Sequence, residues 1–157
     1  MKYIFCIDLD GTLKTDPDFD CTGFPSAIRV TTSKTYDMVP RNNIQEFLAA
    51  AKNKGTVYMT TAAGTAYGEK VSKALDVYQY FDDIVGADRM IRQQWPNMGR
   101  DKKIIWIDND REGLEGKIRH LPYNVRHLEM ETWIIDTFMG NPDNVAQELI
   151  EEINKLE

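Results

Sequence analysis

At 157 residues the chain fits one domain, and 42% hydrophobic with 28% charged residues is ordinary for a globular protein. No apolar run approaches a bilayer-spanning length, and a net charge of −6 argues against broad attachment to nucleic acid or anionic membranes. Two cysteines, Cys6 and Cys21, do not make a disulfide framework, and the Met-Lys start runs straight into a strand-like segment without a signal-peptide cleavage site. A reducing cytoplasm is the expected compartment.

The run Tyr3 to Ile7 is short, β-branched and aromatic, and predicts a buried strand. It ends in Asp8-Leu9-Asp10-Gly11-Thr12-Leu13. A strand period of two turns Asp8 and Asp10 the same way. Two adjacent acids repel unless a cation lies near them, and Mg²⁺ is the natural candidate. Gly11 permits a sharp turn. Residues 14 to 26 read as loop, and two β-like runs, 28–32 and 35–39, predict a small hairpin around Ser33-Lys34. Asn43 is the expected cap of a helix that carries Ile44, Phe47, Leu48 and Ala51 at helical spacing and stops at Gly55.

A second apolar strand covers 56–61, a helix 66–75 and a short third strand 81–86. Residues 88 to 103 read as irregular or partly helical. A fourth strand, 104–107, again ends in acids, Asp108-Asn109-Asp110. A short helix over 112–119 and a fifth strand over 124–130 follow. The tail reads as an amphipathic helix with Asn141 as cap, Pro142 at its first position, and Val145, Leu149, Ile153 and Leu156 on one face. Strands alternating with helices predict an α/β fold: a Rossmann-like three-layer sandwich with a mostly parallel central sheet, a small β-hairpin insert and no large cap domain. No repeat or linker divides the chain, so residues 1–157 are expected to form one domain.

Three strand ends therefore carry polar groups: Asp8/Asp10/Thr12, Thr60/Thr61 and Asp108/Asn109/Asp110. Singly, each is commonplace at a turn. Together, DLDGTL resembles the first motif of the haloacid dehalogenase (HAD) superfamily of phosphohydrolases, Thr60/Thr61 its second, and IIWIDND its fourth. The segments Phe47-Leu48, Val57 to Tyr67, Leu75-Asp76 and Gly99 to Asn109 are similar to its capless branch, which includes small phosphatases acting on the C-terminal domain of RNA polymerase II.

That resemblance implies Asp8 as nucleophile, forming an aspartyl-phosphate, and Asp10 as general acid and then base. It implies a phosphate contact from Thr61, preferred over Thr60, and Mg²⁺ held by Asp8, the Asp10 backbone carbonyl and Asp108. Gly11 and Thr12 support the loop. A cation is also expected at the third motif, and counting back from Asp108 reaches Arg92; arginine can clamp phosphate, although it does not substitute freely for the usual lysine. Gly11 stands where the polymerase-directed phosphatases carry a bulkier acid, so the likeness to that branch concerns architecture more than substrate.

The implied activity is hydrolysis of a phosphomonoester, macromolecular or nucleotide. A nucleotidase or polynucleotide 3′-phosphatase is the competing enzyme reading, and a catalytically weak phosphate-binding or regulatory module is the reading of another class. Both histidines lack zinc-site spacing, and the three tryptophans read as packing residues.

Overall fold

A computed structural model describes residues 2–157. Five parallel strands form the central sheet: β1 (Tyr3–Ile7), β4 (Gly55–Thr60), β5 (Asp83–Val85), β6 (Lys103–Asp108) and β7 (Met130–Ile134), in spatial order β5-β4-β1-β6-β7. The strand bearing DLDGTL is thus central. Its two neighbours run in register with it, Ile7 lying opposite both Met59 and Ile107. The expected hairpin is present as a separate two-stranded sheet, β2 (Ile28–Thr31) and β3 (Thr35–Met38).

Alternation along the strands divides the core between the two faces of the sheet. Phe5, Ile7, Val57, Met59, Ile105 and Ile107 face one layer with helices α1 (Ile44–Lys54), α2 (Thr65–Ala74) and α5 (Val145–Asn154). Ile4, Cys6, Tyr58, Ile104 and Trp106 face the other, against Leu114 of α4 (Arg111–Arg119) and the buried Met98, Leu121 and Leu128. A one-turn helix, α3 (Ala87–Ile91), opens the stretch expected to be irregular or partly helical.

Two boundaries differ from expectation. The predicted strand over 124–130 is instead a 3₁₀ turn at Tyr123–Val125 followed by coil, and the fifth strand starts at Met130. Pro122 precedes the 3₁₀ turn, and the Val125 and Leu128 N–H groups bond to the Pro122 and Val125 carbonyls, a run of i→i−3 bonds that takes the place of strand pairing. The tail helix begins at Val145 rather than at Pro142. Asp143 accepts a hydrogen bond from the Val145 N–H (3.2 Å) while Arg41 holds its other oxygen, which fixes the chain outside the helix up to that point. Among the described residues no helix is long and apolar enough to cross a membrane.

Candidate active site

Strand parity aims the site. Asp8 continues the row Ile4, Cys6 beyond the end of β1, and Asp108 continues Ile104, Trp106 on β6, so both carboxylates point to the face covered by α4. On α4, Lys117 lies one turn beyond Leu114 and turns inward with it. Its ammonium donates to Asp8 Oδ1 at 2.8 Å, Asp108 Oδ2 at 2.8 Å and the Thr60 carbonyl at 2.6 Å, which uses all three protons. Burial works against the Lys117 charge, but the two carboxylates outweigh it and hold its pKa above the ordinary lysine range. Burial likewise pushes the Asp8 carboxyl up to about 7; Lys117 pulls it back and the Asp108 charge adds to the rise. One ammonium therefore does not fully compensate this pair.

The loop that follows is tightly specified. Gly11 has φ +80, and a side chain there would collide with the Asn109 amide, so only glycine fits. The Thr12 hydroxyl lies 3.1 Å from Asp8 Oδ2 and 3.2 Å from Asn109 Oδ1. Arg41, itself 2% exposed, donates to the Thr12 carbonyl (2.8 Å), the Asp136 carbonyl (2.6 Å) and Asp143 (3.0 Å), tying this loop to the C-terminal segment. The Phe138 N–H closes the same junction on the Gly11 carbonyl.

An open pocket of about 540 Å³ lies over these residues, lined by Asp8, Asp10, Thr61, Asp108, Arg111 and Lys117 among others. Five aspartates, with Asp16 and Asp110, meet two cations here. A phosphate dianion entering such a pocket needs more positive charge than the side chains supply.

The donor set suits a hard divalent ion. One end of the Asn109 amide lies 2.8 Å from Asp8 Oδ2 and 3.0 Å from the Asp10 backbone carbonyl; the other faces Thr137 Oγ1 at 3.0 Å. As nitrogen, that first end donates to both oxygens. As oxygen, it stands beside a carboxylate oxygen and a backbone carbonyl, hard donors of the kind Mg²⁺ takes. One carboxylate, one carbonyl and one amide leave room for waters and a phosphate oxygen, as Mg²⁺ prefers.

Asp8, Asp10, Thr12, Thr61 and Asp108 are brought together. Thr60 is not part of the pocket lining: its hydroxyl is buried without a hydrogen-bond partner among the described residues, and it serves Lys117 through its carbonyl. Asp108, expected to complete the metal site, lies beside Asp8, its Oδ2 accepting from Lys117 (2.8 Å) and its Oδ1 from the Asp110 N–H (3.0 Å), while the Asn109 amide lies 2.8 Å from Asp8 Oδ2.

Arg92 is displaced from its expected role. It is exposed at the end of α3 and outside the pocket lining, because the short helix ends before it can turn inward. The buried cation beside Asp8 is Lys117, nine residues after Asp108 rather than before it. Its signal was a lysine on the inward face of α4, in step with Leu114. Lys14 and Arg41 carried no comparable signal, since each reaches the site from a loop, and Tyr67 reaches it from α2 only through the packing of that helix.

The chain matches the model of the family described as NLI interacting factor-like phosphatase over residues 3–157. No curated protein matches it. Among solved structures it is similar to Fcp1, described as an essential RNA polymerase II CTD phosphatase (16% identity, TM-score 0.55, covering 98% of this chain and 48% of the other). It is also similar to an arginine-to-alanine variant of the fission yeast Fcp1 bound to beryllium fluoride (16% identity, TM-score 0.51, covering 98% and 49%). These likenesses concern the fold, and the chain spans about half the length of either structure.

Proposed function

The chain belongs to the NLI interacting factor-like phosphatase family, and from that membership we propose that it is a Mg²⁺-dependent phosphatase hydrolysing a phosphomonoester through an aspartyl-phosphate on Asp8. The observation carrying this reading is the buried Asp8–Lys117–Asp108 junction at the floor of an open pocket, with Asp10 at its side. The expected cation of the third motif thus has a residue to supply it. That removes the main support for a catalytically weak module.

In the first step an Asp8 oxygen forms a bond to phosphorus as the bond to the leaving oxygen breaks, and Asp10 gives that oxygen its proton. In the second, Asp10 takes a proton from the water that attacks phosphorus, and the Asp8–phosphorus bond breaks. Thr61 donates to a phosphoryl oxygen. Lys117 keeps Asp8 oriented and offsets its charge, and Asp8, the Asp10 carbonyl and Asn109 would hold the metal. When bound, Mg²⁺ neutralises the phosphoryl oxygens, which is the main demand of phosphoryl transfer.

The only insert between the first motif and α1 is the loop and small hairpin, so the pocket stays open enough for a phosphate on a macromolecule. The test is hydrolysis of a generic aryl phosphate with Mg²⁺ by wild type, Asp8→Asn and Asp10→Asn. Each substitution is expected to lower turnover at least about 100-fold. Unchanged hydrolysis by Asp8→Asn overturns the mechanism.

A further inference from the structure

Asp10 is held by groups that the phosphatase motifs do not contain. Lys14, on the strap following the loop, is 0% exposed although charged. Its ammonium pairs with Asp10 Oδ1 and donates to the Thr15 carbonyl at 2.9 Å. It also lies over the rings of Tyr36 (5.1 Å) and Tyr67 (5.7 Å). A buried ammonium survives only with such partners.

The Tyr67 hydroxyl donates to the same oxygen, Asp10 Oδ1, at 2.8 Å. The Tyr36 and Tyr67 hydroxyls are 2.6 Å apart. Each phenol has one proton. Since Tyr67 spends its proton on Asp10, Tyr36 must donate to Tyr67, giving a directed chain from the hairpin through α2 to the carboxyl.

Both contacts fall on Oδ1, and among the described residues no hydrogen bond engages Oδ2. We infer that Lys14 and Tyr67 are positioning residues that fix the Asp10 carboxyl through Oδ1 and leave Oδ2 to carry the transferred proton. The inference rests on Asp10 being the proton donor of the reaction proposed above. Oδ2–H then releases its proton to the leaving oxygen as the ester bond breaks, and Oδ2 recovers one from the attacking water. Oδ1 accepts from Lys14 and Tyr67 throughout, so the carboxyl does not rotate between the half-reactions.

The test is kcat/KM across phosphate monoesters whose leaving groups run from an acidic nitrophenol to an alkyl alcohol, for wild type, Tyr67→Phe, Lys14→Met and Asp10→Asn. An acidic leaving group departs without a proton, whereas an alkyl alcohol does not. Asp10→Asn sets the full effect, a loss about 10²-fold or more greater on the alkyl ester than on the nitrophenyl ester. Tyr67→Phe is expected to lose roughly tenfold, and Lys14→Met more, on the alkyl ester, with both near wild type on the nitrophenyl ester.

A merely structural role lowers every substrate alike, and that result overturns the inference. Should Lys14→Met fail to fold, Tyr67→Phe, which removes one oxygen, decides alone. If Asp10→Asn steepens the leaving-group dependence and Tyr67→Phe does not, the inference fails while the proposed mechanism stands. If wild type hydrolyses none of the esters, both fail.

Discussion

Lys117 sits almost fully buried between two carboxylates at the floor of the pocket, so its removal exposes a repulsion that no neighbouring cation offsets as closely. Lys117→Met is expected to lose nearly all turnover and about 3 kcal/mol of stability, read from denaturant unfolding. Lys117→Arg should not rescue it, because a planar guanidinium cannot present three convergent protons to Asp8, Asp108 and the Thr60 carbonyl. Cys6 shows what the same interior does to a group without a task. Burial pushes its thiol far above the ordinary range, so almost no thiolate forms at pH 8. Alkylation of the native protein at pH 8, followed by mass spectrometry, should leave Cys6 unmodified until the chain is unfolded.

The elements differ in how plainly they were written in the chain. β1, β4 and β6 were legible because each is an apolar run that ends in polar residues. β7 was not, since an edge strand with half-buried residues shows neither a continuous apolar run nor clean alternation. Arg41 carries the connection between the loop after β1 and the segment after β7. Arg41→Lys should lose the paired contacts to Asp143 and one of the two carbonyl contacts. A loss of about 2–3 kcal/mol in unfolding free energy is expected, with turnover falling because Gly11 and Thr12 lose their support.

The molecule as a whole gathers its acids around the pocket, so the metal proposed above would enter its working charge balance. Mg²⁺ bound only to the folded state raises stability by about 2.7 kcal/mol at a hundred times its Kd. Thermal unfolding of wild type should therefore shift upward with added Mg²⁺, and the shift should shrink in Asn109→Ala. An equal shift in both would remove Asn109 from the metal set. The acids of the site were readable as strand endings. Its cation was only half readable: the spacing from Leu114 turns Lys117 inward on α4, but its meeting with Asp8, 109 residues away, comes from how α4 packs.

Phe138, Asp136 and Asp143 come back to the Gly11–Thr12 loop and to Arg41 only after every strand has been laid down. On a ribosome the chain emerges from the other end. A nascent chain ending before residue 136 already holds Asp8, Asp10, Thr61, Asp108 and Lys117, yet lacks the clasp that sets the loop between them. The loop between the acids of the site is therefore set only once residues 136–143 have been made, and a chain stopped before them carries those acids without the contacts that hold the loop.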